Sequence, residues 1–467
     1  MNDYYDVVLV GGGIANIALA LKLMNSKYSV AIIERGHQIN NRSCPKSKTG
    51  VCVNCKPSCQ ITTGFAGAGC FSDTKLTYSD EVGGNLIDYI GKDKFYKLID
   101  EADKMFVDNG SKADFVYNED FANQFAYECS KYDLHLIKSK TKHLGTDGSL
   151  EVMKNIWNKL DQAKNIEVFC NTPVTHINFD DNEILLTESL FKPNTKVKYK
   201  YLSIAVGRYG AEWLRSICVD NNIKLENTSV DIGVRVECPR SITDHVTDNL
   251  YEFKIVNYSS SENKVRTFCV NPGGYVVQEN YDTHSGNQIK CVNGHSLSDN
   301  KSMNTNFALL VSCNFKDPFN EPIKYAQSIC KLANMLADNK PMVQRLVDLK
   351  AHKRTTKERM ERLSIEPTLK NAQPGDLRYV LPSNILDSII ETLDNISNVM
   401  PNINGKNTIL YAPEVKFYSS KIELNDKLQN DKFNNVYFIG DSSGVTHGII
   451  QSAMSGIYVA SQILDKE

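Results

Sequence analysis

The chain has 467 residues, of which 41% are hydrophobic and 23% are charged, the composition of a globular protein with room for two or three domains. Its formal net charge of −2 gives no electrostatic indication of binding to nucleic acid or an anionic membrane. Thirteen cysteines, no apolar run of membrane-spanning length, and a strand that begins by residue 5, before a signal peptide could fit, predict a cytoplasmic protein.

The first 35 residues predict a strand, a glycine turn, a helix and a second strand. Residues 5–10 are a short apolar run that ends at Gly11-Gly12-Gly13. Residues 14–24 then carry apolar side chains at helical spacing, and a second apolar run at 28–33 ends in Glu34. Because the acid follows the first glycine by 23 positions, this order predicts a dinucleotide site. A plain βαβ unit with a glycine turn is the alternative.

Each residue type in this turn suits a dinucleotide. Gly11 allows a sharp turn, and Gly13 lets the backbone approach a pyrophosphate. The positive end of the helix, where Ile14 and Ala15 stand, then faces that anion. Glu34 can accept hydrogen bonds from the hydroxyls of the adenosine ribose.

Four cysteines lie close together in the irregular stretch that follows, at Cys44, Cys52, Cys55 and Cys59. Thiolates at such spacing can bind zinc, ligate an iron–sulfur cluster or cycle as a redox dithiol. Lysines between them favour the thiolate form in all three cases. Reduced structural thiols are the fourth alternative, and the spacing does not decide among them.

A second glycine-rich loop spans residues 64–76. Its small residues would let backbone N–H groups approach a pyrophosphate or a flavin ring. Cys70 and Lys75 could then lie near the reactive N5 edge of the flavin. A flexible glycine loop is the alternative.

The remaining elements follow from periodicity and turn residues. Residues 80–147 are predicted to be mostly helical. Further helices are predicted at 149–164, 322–349, 384–393 and 447–464, and strands at 166–170, 174–179, 183–186, 201–207, 230–236, 265–270, 275–278, 307–311 and 436–441. Residues 293–296 are predicted to form a turn and residues 367–382 a loop.

Charged residues of the central strands are candidates for a substrate pocket. Arg235, Glu237, Arg266 and His295 could line such a pocket, or each could be an ordinary solvated or paired residue.

Gly440-Asp441, at the end of the last predicted strand, favours FAD among the dinucleotides. The Asp441 carboxylate can hold a ribityl hydroxyl, which FAD has and NAD lacks. The helix that begins near His447 could face the flavin N1 and C2 carbonyl and stabilise the reduced ring. A turn capped by Asp441 or Ser442 is the alternative. A second glycine fingerprint is lacking, so the reductant is expected to be NAD(P)H that visits transiently or a protein electron donor.

Both ends of the chain have strands that end in glycine and lead into helices, whereas the centre is rich in strands. This pattern predicts an α/β fold. A discontinuous Rossmann-type FAD-binding domain would comprise residues 1–80, 140–220 and 405–467. Residues 81–139 would form a helical segment, and residues 221–404 an inserted, β-rich α+β substrate domain.

Nearly the whole chain resembles the uncharacterised FAD-dependent dehydrogenases, which are related to the glutathione-reductase-type flavoproteins. The resemblance rests on the cysteine cluster, the loop at 64–76, and the motifs Gly233-Val234-Arg235, Thr267-Phe268-Cys269, Pro272-Gly273-Gly274-Tyr275, Asn293-Gly294-His295-Ser296, Ala412-Pro413-Glu414 and 440–448. Asn16, Thr74 and His447 depart from the family pattern, which has glycine at the first two positions and commonly arginine at the third.

The resemblance implies an FAD-dependent oxidoreductase. The candidate catalytic residues of this sequence are Lys75, His447 and Cys70. The candidate cofactor-binding residues are Gly11, Gly13, Ile14, Ala15, Glu34, Arg35, Arg42, Gly67, Ala68, Gly69, Ser72, Lys75, Val174, Gly207, Gly440, Asp441, Gly448 and Ile449.

The sequence therefore predicts hydride transfer between a small-molecule substrate, held by the central domain, and flavin N5. Electron transfer through the cysteine cluster, as thiols or as an iron–sulfur centre, is one alternative. A non-catalytic FAD-binding scaffold is another. The expected partners are a small-molecule substrate and an electron donor, with neither nucleic acid nor membrane.

Overall fold

The computed structural model describes residues 1–45, 53, 55, 58–71, 74–187, 195–226, 229–282, 288–296, 301–315, 318–319, 321–417 and 419–466. The chain divides into two compact units. The terminal unit comprises residues 1–114, 142–226 and 419–467, and the central unit comprises residues 115–141 and 227–418.

The strands in chain order are β1 (Tyr4–Val10), β2 (Val30–Ile33), β3 (Lys75–Tyr78), β4 (Leu134–Leu136), β5 (Lys140–His143), β6 (Ile166–Phe169), β7 (Val174–Asn178), β8 (Glu183–Leu186), β9 (Thr195–Ile204), β10 (Leu225–Glu226), β11 (Val230–Pro239), β12 (Ile255–Tyr258), β13 (Lys264–Pro272), β14 (Tyr275–Asp282), β15 (Gln288–His295), β16 (Asn304–Cys313), β17 (Met342–Arg345), β18 (Gln373–Pro374), β19 (Ile409–Lys416), β20 (Lys421–Ile422) and β21 (Val436–Phe438).

The helices are α1 (Ile14–Leu23), α2 (Leu86–Ile90), α3 (Lys92–Val107), α4 (Glu119–Ser130), α5 (Gly145–Asp161), α6 (Ala211–Asp220), α7 (Asp244–Leu250), α8 (Pro322–Leu336), α9 (Leu346–Lys350), α10 (Lys357–Met360), α11 (Ser383–Ile396) and α12 (Ile449–Leu464). Short 3-10 helices occupy Ile39–Asn41, Ala68–Phe71, Arg208–Gly210, Arg240–Ile242, Leu377–Tyr379 and Asp441–Ser443.

The large sheet of the terminal unit has the strand order β6-β2-β1-β9-β8-β7, and β21 also pairs with β9. The pairs that join β6, β2, β1, β9 and β21 are parallel, whereas β7 and β8 continue the sheet antiparallel. Val7 and Leu9 of β1 enter one apolar cluster, and Val8 and Val10 enter a second. Because side chains alternate along a strand, both faces of this sheet are buried. This explains the continuous apolar run at residues 5–10.

Helix α12 packs closely on α1 in the terminal unit. A Cβ atom added at Gly456 of α12 would lie 1.9 Å from the Ala15 carbonyl oxygen of α1. A real Cβ never approaches backbone so closely, and glycine is therefore required at this crossing. The contact holds the start of α1 in place behind the glycine turn.

The large sheet of the central unit has the strand order β18-β17-β19-β11-β16-β13-β12-β4 among the described residues. Its pairs are antiparallel except for β17 with β18. Helices α8 and α11 pack on it through apolar side chains that join one cluster with those of β11 and β16. Strands β14 and β15 form a separate antiparallel hairpin.

The predicted α/β fold with a Rossmann-type part is confirmed. The structure also corrects three local predictions. The stretch 322–349 is not one helix, because Met342–Arg345 forms β17 between α8 and α9. Residues 293–295 continue β15 instead of forming a turn, and β19 was not predicted as a strand. Short apolar runs do not distinguish helix from strand by periodicity, and the pairing of β17 with β19 decides here.

The two units have bounds that differ from the predicted domains. Residues 405–417 lie in the central unit because β19 pairs with β11 and β17. Residues 115–141 lie there as well, since β4 pairs with β12, so the predicted helical segment 81–139 is divided between the units. In the part of the chain that the structure describes, no helix is both long and apolar enough to cross a membrane.

Candidate functional site

The candidate site lies at one edge of the terminal-unit sheet. Strands β1, β2, β9 and β21 run parallel, so their carboxyl ends meet at the same edge. Gly11 follows β1, Glu34 follows β2, Ala205 follows β9 and Gly440 follows β21 soon after its end. The carboxyl edge of a parallel sheet is where open α/β folds bind their ligands.

The glycine turn after β1 is as tight as its sequence predicts. Gly11 has φ +101°, and a Cβ there would lie 2.3 Å from the Ala205 carbonyl oxygen. The second glycine loop approaches this turn closely, since a Cβ at Gly67 would lie 3.4 Å from Gly13 Cα. Helix α1 starts at Ile14, and Gly13 gives it no side-chain cap among the described residues. Its first N–H groups are therefore suited to an anionic ligand.

Glu34 stands where it was predicted, but it is already held by the backbone. Its Oε2 accepts the Gly12 N–H at 2.7 Å, and its Oε1 accepts the N–H groups of Gly36 at 2.7 Å and Gly64 at 3.0 Å. A carboxylate has about four acceptor positions, so about one is left for a ribose hydroxyl. Glu34 thus joins the two glycine loops, and its contact with the ribose stays a prediction.

Asn16, at the third glycine position of the fingerprint, is fully buried and fully bonded. Its Nδ2 donates to the carbonyl oxygens of Val10 at 3.0 Å and Gly11 at 2.9 Å. Its Oδ1 accepts the Ser203 hydroxyl of β9 at 2.7 Å. The amide therefore ties the end of β1 and the glycine turn to β9, and this role accounts for the departure from glycine.

Restoring the family glycine through Asn16→Gly is expected to destabilise the terminal unit by about 1–2 kcal/mol, because the variant leaves buried polar groups without their partner. Chemical denaturation followed by the fluorescence of Trp157 and Trp213, both in this unit, measures the change. Ser203→Ala is the control, since it removes one of the three bonds and should cost less. A variant as stable as the parent would show that the amide bonds contribute nothing net.

Arg42 organises the second glycine loop. Its guanidinium donates to the carbonyl oxygens of Gln60 at 2.9 Å, Ile61 at 2.7 Å and Phe65 at 2.6 Å. It also stacks on the Phe71 ring at 4.4 Å from the ring centre. The residue was predicted to contact the cofactor, and in the structure its donors bind this loop.

The loop itself approaches the start of α12. A Cβ at Gly69 would lie 3.3 Å from Ile449 Cδ1, so these two predicted cofactor residues are neighbours. Thr74 has φ +38°, which explains why glycine is usual at this position, and its hydroxyl donates to the Gly69 carbonyl at 2.7 Å. Ser72 lies outside the described residues.

Two of the predicted catalytic residues follow in this loop. Burial raises the pKa of the Cys70 thiol to about 11, although Arg42 and Ser149 act in the opposite direction. Cys70 is therefore protonated at neutral pH, which argues against thiolate chemistry there. Lys75 is half-buried at the start of β3.

Asp441 holds two partners at the carboxyl edge. Its Oδ2 accepts Arg208 Nε at 2.6 Å, and its Oδ1 lies 3.1 Å from His447 Nδ1. Burial opposes ionisation, but Arg208 and His447 outweigh it and hold the pKa of Asp441 below its ordinary value. The structure thus brings together two predicted residues, Asp441 and His447, and adds Arg208, which sequence analysis did not single out.

The segment before α12 is fastened by a glycine pair. The Gly83 carbonyl accepts the N–H groups of His447 at 2.7 Å and Gly448 at 3.0 Å. A Cβ at Gly84 would lie 2.4 Å from the Val445 carbonyl oxygen, so glycine is needed for this approach. In the sequence, the only indication of this contact is that Gly83 and Gly84 are adjacent within a stretch otherwise predicted to be helical.

Other predicted cofactor residues also lie near the carboxyl strand ends, and Arg35 stacks on Tyr209 at 4.8 Å. Val174 begins β7 and pairs with Leu186, which is level with the start of β9, so its contact with the cofactor stays a prediction. Gly207 has φ +60°, and a Cβ there would meet no described atom within 4 Å. Ala15 lies beside Gly440, where a Cβ would be 3.3 Å from the Ala15 side chain.

The cysteine cluster stays a prediction. Cys44, Cys55 and Cys59 are half-buried and form no disulfide with a described residue, and Cys52 lies outside the described residues. Among the described residues no group of three or more His, Cys, Asp or Glu side chains could hold a metal ion.

Three of the four central-unit candidates are bonded within their own sheet, and the fourth, His295, is half-buried at the end of β15. Arg235 is fully buried and pairs with Glu414 at 3.1 Å, and Arg266 pairs with Asp231 at 2.5 Å. Glu237 accepts the Tyr411 hydroxyl at 2.6 Å. Arg235, Arg266 and Glu237 are thus paired residues, which was the alternative to a substrate pocket. Their contact with a substrate stays a prediction.

Two family models match the chain, and the second match begins and ends close to the bounds of the central-unit segment 227–418. Residues 5–217 match the family model "Pyridine nucleotide-disulphide oxidoreductase", and residues 229–417 match "FAD-dependent protein, C-terminal domain-like". An uncharacterised protein of Clostridium beijerinckii is 24% identical over 484 residues, which cover 98% of this chain and 80% of that protein. Glycine oxidase from Geobacillus kaustophilus aligns over 100% of this chain and 96% of that one, at 11% identity and a TM-score of 0.40.

Proposed function

We propose that this chain, an FAD-dependent oxidoreductase, moves a hydride between flavin N5 and a small organic substrate whose oxidation also releases a proton. Bound FAD supplies the two-electron acceptor for such a reaction. The substrate and the electron donor or acceptor belong to the proposal.

The residues at the carboxyl edge fit FAD. Gly11, Gly13 and Gly67 leave backbone accessible for the pyrophosphate, and the uncapped start of α1 suits its charge. Glu34 keeps acceptor capacity for the ribose, and Asp441 for the ribityl chain.

The contact between Asp441 and His447 carries the proposal. Because Asp441 is ionised and lies 3.1 Å from Nδ1, it favours a proton on that nitrogen. Nε2 of His447 is then the nitrogen that can accept a proton from the substrate. Removal of the proton makes the hydride easier to transfer, so Asp441 is a positioning residue and His447 a base.

A reduction assay tests this function. The purified flavoprotein is mixed anaerobically with alcohols, hydroxy acids, amines and amino acids, and loss of the oxidised flavin absorbance is followed. We expect one class to reduce the flavin. His447→Gln should then slow reduction about 100-fold or more and leave the FAD content unchanged, since the base is lost but the cofactor contacts remain.

His176→Gln is the matched control, because His176 is an exposed histidine of the same unit. The flavin of this variant should be reduced at the parent rate. If the flavin of His447→Gln is also reduced at the parent rate, His447 is not the base. Failure of all four classes, with reduction only by a reduced protein, would favour the electron-transfer alternative for the cysteine cluster.

A further inference from the structure

The family motifs of the central unit converge on one buried guanidinium. Arg235 donates through Nε to Asn306 at 2.9 Å, through Nη1 to Glu414 at 3.1 Å and through Nη2 to the Cys269 carbonyl at 2.7 Å. A Cβ at Gly294 would lie 1.7 Å from Nη2, so this glycine also makes room for Arg235. Arg235 is therefore the centre of the network, and Cys269 is one of its direct partners.

Cys269 differs from its neighbours in conformation. It lies where the register between β13 and β16 shifts, and its φ of +48° is unusual for a residue other than glycine. A bulge of this kind turns a side chain away from its regular direction. Unlike the buried Cys238, Cys291 and Cys330, the Cys269 side chain is half-buried and therefore accessible.

Cations near the Cys269 side chain favour a thiolate. Burial opposes the charged form of Arg235, but Glu414 and then Cys269, whose side chain contacts the guanidinium, hold its pKa above the ordinary value. Burial opposes the charged form of Lys416 as well, but Glu414, Glu279 and then Cys269 outweigh it and raise the pKa. The two cations share Glu414 Oε1 at 3.1 Å each. Asn271 contacts Sγ through Nδ2 at 3.7 Å and through Oδ1 at 4.0 Å, so its amide suits either form of the sulfur.

Two buried polar atoms in the same network have no partner among the described residues. They are Glu414 Oε2, an acceptor, and Asn306 Nδ2, a donor, and both side chains are fully buried. Since buried polar atoms are nearly always bonded, a small polar molecule is expected to complete the network. This observation is independent of the cysteine.

We propose that Cys269 is a reactive thiolate that exchanges with small organic disulfides. Its sulfur forms a bond to one sulfur of the disulfide, the bond between the two disulfide sulfurs breaks, and the other half leaves as a thiolate with the electron pair. Cys269 becomes a mixed disulfide, and the released thiol is the reduced product. The reaction needs no other oxidant and does not depend on the proposed flavin reaction.

Cys313 provides an internal comparison. It is also half-buried and lies in the same unit, but its charged neighbour is an acid. Burial, followed by Asp231, raises the pKa of Cys313 to about 12. Because both thiols are half-buried but their charged neighbours have opposite sign, the comparison separates the effect of the cations from that of access.

The test treats the full-length flavoprotein with bis(2-hydroxyethyl) disulfide near neutral pH and follows each cysteine peptide by mass spectrometry. We expect Cys269 to be modified about tenfold or more faster than Cys313. Lys416→Met should slow modification of Cys269 about tenfold, because one cation beside the thiolate is lost. Lys264 is an exposed lysine of β13, the strand that contains Cys269, and Lys264→Met should leave the rate of Cys269 modification unchanged.

Equal rates at Cys269 and Cys313, or a parent rate in a folded Lys416→Met, overturn the proposal. If Lys416→Met does not fold, the pH dependence of the parent protein decides. A Cys269 rate that is nearly constant above neutral pH supports the thiolate, and a rate that keeps rising about tenfold per pH unit overturns it.

Discussion

Glu414→Gln is expected to destabilise the central unit by about 3–5 kcal/mol, because it leaves two buried cations without their shared acid. Glu414 and Arg235 are 0% exposed, and Lys416 is 5% exposed. Burial by itself lowers the pKa of both cations, and Glu414 is the largest influence that raises it. Glutamine has the same shape, so the change in charge is the main variable.

The measurement must report on the central unit alone. Both tryptophans lie in the terminal unit, so fluorescence does not serve. The rate at which the buried Cys238 and Cys330 react with a thiol reagent in increasing denaturant reports central-unit opening.

Glu366→Gln, in the same unit, is the control for this prediction. Glu366 pairs with Lys370, but their side chains are 84% and 64% exposed, so almost no change in stability is expected. If Glu414→Gln changes stability as little as Glu366→Gln, the buried charges must be hydrated or balanced by another group.

Gly456→Ala is expected to destabilise the terminal unit by roughly 3 kcal/mol, the upper end of what overpacking usually costs. The new Cβ would lie 1.9 Å from the Ala15 carbonyl oxygen, so α12 must move away from α1. Ala15 stands on the first turn of α1, and FAD retention should fall together with stability. Denaturation followed by tryptophan fluorescence, with the FAD content of the purified variant, measures both effects.

Gly148→Ala is the matched control, since it makes the same chemical change within a helix of the same unit. A Cβ at Gly148 would lie 3.9 Å from Leu144 Cβ, an ordinary contact. Alanine is the better helix former, so this variant is expected to be as stable as the parent or up to about 1 kcal/mol more stable. If both variants behaved alike, close packing at Gly456 would not be the cause.

Local sequence patterns were sufficient for the cofactor-binding half of the fold. The apolar run at residues 5–10, the glycine turn and Glu34 predict a strand, a turn and a polar strand end, and the structure has all three. The strands β7 and β8 were predicted in the same way, at residues 174–179 and 183–186. Such features depend on side-chain period and on turn residues, which are both local in sequence.

The structure explains two departures that the sequence left open. Thr74 has a positive φ, and this backbone conformation explains why the family usually has glycine at this position. Asn16 is bonded to Ser203, which lies 187 positions away along the chain. A buried amide is recognisable as functional or structural only when its partners are known.

The sequence by itself determined the Rossmann-type turn, the choice of FAD and the division into α/β ends and a β-rich centre. Periodicity, glycine spacing and the Gly440-Asp441 pair are local patterns that can be recognised along the chain. Only the tertiary structure decided which polar side chains meet. Glu414 reaches Arg235 across 179 positions, and Asp441 reaches Arg208 across 233. These contacts depend on strand order and register, and burial then requires each charge to find its partner.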